Sequence, residues 1–180
     1  MSHASAGIEV SNPQAYQAKL KGLLGGRDPL EVMAATPDAF AAMVRAHSVE
    51  AMRARPFEGK WTPCEILGHM IDTEWVYGYR LRLILCEDRP TILGMNQEKW
   101  VAGQRYNERD PGELVETFRA LRSMNLALWK RLAPPDLERV GEHNERGVES
   151  LGLMLLLEAG HDVSHIDQMK RYLAAPVAAH

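Results

Sequence analysis

Two histidines near the C-terminal end of the chain, His161 and His165, have the residue type and the spacing to bind one metal ion. Four residues apart on a helix, they share one face, with Cβ atoms about 5–6 Å apart. The same face carries Leu151, Met154 and Met169, so it points into a helical core. Because each buried imidazole has two ring nitrogens to satisfy, such a pair favours metal binding over an ordinary core role.

His69 is the predicted third ligand, because it lies on another apolar helical face together with Ile66, Thr73 and Val76. At about 1.5 Å per residue, His69 lies about 10 Å from the start of its helix, and His165 about 14 Å from the end of its own. The histidines therefore reach one level only if the two helices run antiparallel. The proposed site thus predicts a helix orientation as well as a ligand set.

Three neutral imidazoles leave the charge of a divalent ion uncompensated and at least one coordination position open, as in catalytic sites. Such an ion is a Lewis acid that activates a bound water or a substrate thiolate. We therefore expect an enzyme, a metal-dependent transferase or hydrolase with a small-molecule substrate. Two alternatives stay open: a non-catalytic, metal-binding or stress-related module whose ion joins two helices, and a metal-free bundle with hydrogen-bonded core histidines.

Several polar residues near the ligands have the chemistry to orient the imidazoles or to act as a base: Asp72, Asp162, Asp167 and Gln168. His143, in the loop before the last helix, is a further residue that could face a substrate. Asp72, Asp162 and His143 are accordingly the candidate catalytic residues, with solvated polar side chains as the alternative. The remaining histidines are weaker candidates: His3, His47 and His180.

A di-iron site is the competing metal centre, because helical bundles also build such sites from pairs of Glu-x-x-His motifs. Glu158 and His161 form one such motif. A second motif on another helix is missing, and His165 shares a helix with the first. The pattern therefore favours a mononuclear site.

The elements that position these residues are helices whose starts are marked by a short polar residue followed by proline. This pair recurs at five places: 12–13, 28–29, 36–37, 62–63 and 110–111. The pattern predicts four long helices and two shorter pieces before them: 37–55, 63–87, 111–132 and 151–174, preceded by 13–24 and 29–34.

Four long helices that bury their apolar faces against one another predict an all-α four-helix bundle. The stretch 88–109 is long enough, at about 3.3 Å per residue, to run the length of a bundle as a crossover, or else to form a lid. We expect one domain at 13–176, between a flexible N-terminus at 1–12 and a tail at 177–180.

Composition restricts the function classes. The 180 residues are 46% hydrophobic and 25% charged, and the net charge of −3 is spread without blocks, which excludes a nucleic-acid surface. Apolar runs such as 153–157 are far shorter than the roughly 20 residues that cross a bilayer. Cys64 and Cys86 form no CxxC pattern and are expected to be core residues of a reduced protein. These features predict a cytoplasmic protein without membrane or nucleic-acid partners.

Two segments carry a resemblance to the DinB-like superfamily, which includes YfiT-type hydrolase-like proteins and mycothiol- or bacillithiol-dependent transferases. The segments are 61–69 (WTPCEILGH), similar to the family's W-x-x-x-E-x-x-x-H, and 161–168 (HDVSHIDQ), similar to its H-x-x-x-H-x-x-Q. The resemblance extends over about 34–173. Further residues between the segments are similar in placement: Glu74, Arg80, Arg82, Trp100 and 119–122.

The resemblance implies a bundle of up-down-down-up connectivity, often assembled as a homodimer. It also implies that His69, His161 and His165 bind zinc, nickel, iron or manganese. The family includes members that use a low-molecular-weight thiol as a cofactor, and others with hydrolase-like activity. The resemblance therefore leaves the reaction open between thiol transfer and hydrolysis.

Overall fold

The computed structural model of the chain describes residues 12–175, so the expected C-terminal tail and, apart from Asn12, the expected flexible N-terminus lie outside it. Eight α-helices follow one another in this part of the chain: α1 (Pro13–Leu24), α2 (Pro29–Ala46), α3 (Val49–Arg53), α4 (Pro63–Cys86), α5 (Gln97–Gln104), α6 (Pro111–Trp129), α7 (Pro134–Leu137) and α8 (Leu151–Ala174). None of these helices is long and apolar enough to cross a membrane.

The predicted four-helix bundle is confirmed. Helices α2, α4, α6 and α8 pack around a common core, in which Phe40, Leu67, Met70, Phe118 and Met169 are fully buried. Helix α1 covers the outside of α8, and α5 packs on α4. The bundle therefore joins the two helices that carry the predicted metal ligands.

The order of contacts along α4 and α6 gives their relative direction. Glu74 bonds to Arg122, and one turn further along α4, Gly78 lies against Asn125, one turn further along α6. The two helices therefore run in the same direction, as the expected up-down-down-up connectivity requires. That connectivity as a whole stays a prediction, which these contacts support.

The helix predicted at 37–55 is divided in the structure. Its first part belongs to α2, which runs through Pro37 without a break and ends at Ala46, and its last part forms α3. Thr36 does not cap a helix, because it lies inside α2, where its hydroxyl oxygen is 2.9 Å from the carbonyl oxygen of Val32. Proline removes the N–H that would bond to the carbonyl of Met33. Arg122 donates to that carbonyl from α6 at 3.1 Å, so the proline leaves no buried acceptor unpaired.

A small sheet, which the sequence analysis missed, accompanies the helices. Its strands are β1 (Thr91–Ile92), β2 (Val140–His143) and β3 (Gly147–Ser150), with β1 parallel to β2 and β2 antiparallel to β3. Strands of two to four residues are too short to show an alternating pattern. Gly141 of β2 lies against Ile84, so the sheet covers the C-terminal end of α4.

The stretch 88–109 folds back along α4 and is the crossover between the parallel helices α4 and α6, but its chain is folded and not extended. It contains β1, α5 and a 3₁₀ turn at Tyr106–Glu108. The ring of Tyr106 lies so close to Gly68 that a Cβ there would be 2.0 Å from the ring carbons. Glycine at this position therefore lets the segment pack against α4 beside His69.

Gly160 is expected to be essential for the contact between α8 and α1. A Cβ at this position would lie 2.3 Å from the backbone oxygen of Leu20, so Gly160→Ala must move one helix. We expect a loss of about 1–3 kcal/mol in the free energy of unfolding, measured with urea. Gly22 of α1 has no atom within 4 Å of its own Cβ position, so Gly22→Ala should instead stabilise by about 0.5–1 kcal/mol.

Candidate metal centre

The start of α4 fixes the position of His69. The hydroxyl of Thr62 accepts from the backbone N–H of Glu65 at 3.1 Å, and the Glu65 carboxylate accepts from the Thr62 N–H at 2.8 Å. This capping box and Pro63 set the first turn of the helix. His69 therefore faces inward two turns later, where the ring of Trp61 lies against its imidazole with centroids 4.8 Å apart.

The three predicted ligands meet in the bundle. The Nε2 atom of His161 lies 3.1 Å from Nε2 of His69 and 3.0 Å from Nε2 of His165. All three nitrogens lie within 4.8 Å of one another, and the group is the only His, Cys, Asp and Glu cluster of metal-binding geometry among the described residues. Helices α4 and α8 thus bring residues from distant parts of the sequence to one point.

Burial keeps the three imidazoles neutral. Their exposed fractions are 2% for His69, 9% for His161 and 4% for His165. Burial lowers the pKa of His69 and His165 well below the usual value of 6.5, and their histidine neighbours lower it further. Burial and the charge of Arg122 lower the pKa of His161 to about 4. At neutral pH each ring therefore carries a nitrogen lone pair.

Hydrogen bonds fix which nitrogen of His165 is free. Its Nδ1 lies 2.8 Å from Oε1 of Gln168, whose amide donates to the hydroxyl of Tyr172 at 3.0 Å. A carbonyl oxygen only accepts, so Nδ1 carries the proton and Nε2 carries the lone pair that faces the other histidines. The Nδ1 atoms of His69 and His161 have no hydrogen-bond partner among the described residues.

Asp162 does not face the triad, although it follows His161 in the sequence. Both of its oxygens accept from the buried guanidinium of Arg122, one of them at 2.9 Å, and Thr36 donates to it at 2.8 Å. A carboxylate held in this way is not placed to take a proton from a substrate. The structure therefore assigns Asp162 a structural ion pair and gives no support to its candidacy as a base.

Arg122, on α6, bonds to residues of the other three helices of the bundle. The sequence alone did not identify it as a functional residue. Its guanidinium also bonds to Glu74 at 2.7 Å and lies 4.0 Å from Glu158. Burial raises the pKa of Glu158 well above 4.5, and the charge of Glu74 raises it further. Because Glu158 bonds to Trp129 at 3.2 Å, away from the histidines, the structure gives no support to a di-iron site.

Asp72 faces a cavity beside the triad. Its Oδ1 accepts from the hydroxyl of Tyr106 and the amide of Gln104, each at 2.7 Å, and its Oδ2 has no partner among the described residues. Burial raises the pKa of Asp72, whereas the two hydrogen bonds lower it. Of the three candidate catalytic residues, Asp72 is the one that lines this cavity. Asp167 is exposed.

His143 lies in β2 and not in an exposed loop. Its Nδ1 accepts from the backbone N–H of Glu145 at 3.1 Å, and burial, with Arg146, lowers its pKa to about 4. The strand contacts α4 at Ile84, which lies about 22 Å along the helix from His69 at 1.5 Å per residue. The structure therefore does not bring His143 to the triad.

Comparison with known proteins agrees with this arrangement. The sequence profile described as "DinB superfamily" matches residues 33–169, which include all three histidines. The chain belongs to the DinB superfamily. The resemblance inferred from the two histidine segments is thereby confirmed.

Relatives of this DinB superfamily protein include two from Oceanobacillus iheyensis, each named "Putative metal-dependent hydrolase". The first is 29% identical over 60% of this chain and 62% of the relative. The second is 27% identical over 63% of this chain and 65% of the relative. The chain thus spans less than two thirds of these relatives. A solved structure, YfiT from Bacillus subtilis, is described as a "probable metal-dependent hydrolase with an unusual four-helix bundle topology". Its TM-score is 0.76 at 20% identity, over 80% of this chain and 83% of YfiT. This match shows the shared fold.

Proposed function

We propose that this DinB superfamily protein binds one divalent transition-metal ion through Nε2 of His69, His161 and His165, and that it is a metal-dependent enzyme of the hydrolase type. The observation that carries the proposal is the convergence of three neutral imidazole nitrogens inside the bundle. The names of its relatives, metal-dependent hydrolases, point to the same class.

The donor set fits a transition metal. Two metal–nitrogen bonds of about 2.1 Å at a near-tetrahedral angle separate their nitrogens by about 3.4 Å, close to the observed 3.0 and 3.1 Å. Imidazole suits zinc, nickel and iron, and manganese is a further candidate from the family resemblance. When bound, such an ion supplies a Lewis acid that activates a water molecule or a thiol for attack on a substrate.

The surrounding residues of the chain hold the triad in place and control access to it. Gln168 and Tyr172 fix the ring orientation of His165, and Trp61 covers His69. His161 is the most exposed of the three imidazoles, at 9%. We therefore infer that a small-molecule substrate approaches the centre past His161, with Asp72 as the candidate catalytic residue that faces it.

Two finer alternatives use the same site. In the first, a low-molecular-weight thiol replaces water as the nucleophile, which would make the protein an S-transferase. In the second, the ion has no catalytic role and joins α4 to α8, a reading that the deep burial of the triad favours. A homodimer, a cytoplasmic location and a stress-related role stay predictions from the sequence.

Elemental analysis of the purified protein tests the proposal. We expect about one equivalent of a transition metal, removed by a chelator, and hydrolysis of ester or amide test substrates that stops on chelation and returns with the metal. Thiol-transfer activity in place of hydrolysis would identify the first alternative. A bound metal without either activity would favour the second, and protein that binds no added metal would contradict the proposal.

Gln168→Leu should weaken metal binding while leaving the three ligands in place. The substitution removes the acceptor that orients the His165 ring, and loss of such a partner typically costs 10- to 100-fold in metal affinity. Competition with a chromogenic chelator measures the change. Tyr172→Phe removes only the hydroxyl behind Gln168 and should have a smaller effect. Equal affinities in all three proteins would show that Gln168 does not orient a ligand.

A further inference from the structure

A cavity of about 430 Å³ opens between α4 and α5. Six residues line it: Asp72, Trp75, Val76, Tyr79, Trp100 and Gln104. Three of the six are aromatic, and one carries a carboxylate. The cavity thus combines ring faces with a negative charge, and both attract positively charged groups.

The aromatic side chains of the cavity face solvent to an unusual degree. The exposed fractions are 64% for Trp75, 63% for Tyr79 and 41% for Trp100. Large aromatic side chains dominate buried cores and binding surfaces, because they release much apolar area from water. Rings contributed by two different helices therefore form a surface that a bound molecule would cover, and the face of a tryptophan is the ring that binds cations best.

Asp72 supplies the charge. The residue is 2% exposed, and its Oδ2 atom has no hydrogen-bond partner among the described residues. Tyr106 and Gln104 both donate to the other oxygen, which holds the carboxylate group in place. A buried carboxylate oxygen without a partner is costly, and a positively charged group in the cavity would remove that cost.

Gln104 covers this carboxylate with an exposed side chain. The residue is exposed and lies on α5, and its amide donates to Asp72 at 2.7 Å. An ammonium group carries the same kind of N–H donor together with a full positive charge, so its hydrogen bond to the carboxylate is stronger. A ligand of this kind can therefore replace the Gln104 amide as its side chain turns outward.

We propose that this cavity binds an organic ammonium compound, with the ammonium group on the Asp72 carboxylate and an apolar part between Trp75, Tyr79 and Trp100. The cavity begins one turn beyond His69 on α4 and extends past Val76, which lies on the same side of the helix two turns beyond it. The ligand therefore lies along α4 within about two turns of His69. The site shares Asp72 with the proposed function, but its binding requires no metal, so it can be tested separately.

Titration with matched probes tests this site. The probes are 2-phenylethylammonium, benzyltrimethylammonium and the neutral 2-phenylethanol, followed by tryptophan fluorescence and calorimetry, with and without a chelator. We expect 2-phenylethylammonium to bind at least tenfold more tightly than the alcohol, whether or not metal is present, and more tightly than benzyltrimethylammonium, which has the charge but no N–H donor. Equal affinity for 2-phenylethylammonium and the alcohol, or no saturable binding of 2-phenylethylammonium, would overturn the proposal.

Variants separate the two parts of the site. Asp72→Asn should abolish the preference for cations, and Trp100→Ala should weaken cation binding at least tenfold. Met124→Ala, an exposed apolar residue of α6 outside the cavity, is the matched control and should change nothing. Trp75→Ala tests whether the aromatic face is instead an interface between two copies of the chain. If this variant breaks up a dimer, and the probes bind only after that dimer dissociates, the proposal fails.

Discussion

His161→Ala is expected to abolish the thermal stabilisation that added metal gives the wild-type protein. Its Nε2 is the nitrogen that lies near 3 Å from both of the others. Metal at 100 times its Kd should stabilise the wild type by about 2.7 kcal/mol. For a chain of this length that corresponds to about 5–11 °C in melting temperature. Melting curves with zinc, nickel, iron or manganese, and with a chelator, measure the shift.

His47→Ala is the matched control, because His47 is an exposed histidine whose Nδ1 bonds to the carbonyl of Met43, away from the triad. This variant should keep the full metal-dependent shift. A His161→Ala protein that still gains stability from metal would place the bound ion elsewhere. A wild type that gains nothing from any of the four metals would contradict metal binding at the triad.

The convergence of the three histidines was predictable from the sequence because helical geometry connects spacing to direction. His161 and His165 share a face by their spacing, and the depth of His69 along α4 matched theirs for antiparallel helices. The N-cap and proline pair at 62–63 also located α4 to within a residue, and the predicted bounds of α8 agree with the structure. Periodicity and capping depend only on nearby residues, so the sequence itself predicts where these helices lie and which way their histidines face.

The surroundings of the triad were not predictable, because they depend on contacts between distant residues. Asp162 and His143 have the residue types of catalytic groups, but Arg122 binds the first and Ile92 of β1 pairs with the second, and both lie far away in the sequence. Pro37 marks a helix start in the local pattern, yet a side chain from α6 satisfies the carbonyl that it leaves free. Arg122 is a charged residue on the apolar face of α6, and this was the feature of the sequence that could have identified it.

The aromatic cavity was also not predictable from the sequence, because it depends on contacts between distant residues. Trp75 and Tyr79 lie on the outer face of α4, where a sequence reading treats them as single exposed aromatics. They become one wall of a site only because Gly68 lets Tyr106 pack closely and brings α5 alongside. The fold of the 88–109 stretch therefore decides this surface, and no periodic pattern in the sequence reports it.

Arg122→Met should destabilise the protein by about 3–5 kcal/mol at neutral pH, because it leaves buried carboxylates without their cation. Arg122 is 1% exposed and bonds to Glu74 and Asp162. Urea unfolding measures the change in free energy. Arg122→Lys keeps the charge but not the two-pronged geometry, so we expect an intermediate loss. Arg119→Met, which removes an exposed arginine one turn away, should change stability by less than about 1 kcal/mol.

The loss caused by Arg122→Met should shrink as the pH falls. A buried carboxyl group whose pKa is raised on folding binds more protons in the folded state, so its stabilising contribution is full below the unfolded value and is lost as the pH rises through the folded value. Glu158 already behaves in this way, with its pKa raised by burial above 4.5. The charge of Arg122 lowers the pKa of Glu158, so removal of the guanidinium should raise that pKa further. Unfolding at pH 5 and pH 8 should therefore show the smaller difference from wild type at pH 5, and a difference that grows on acidification would rule out uncompensated carboxylates as the cause.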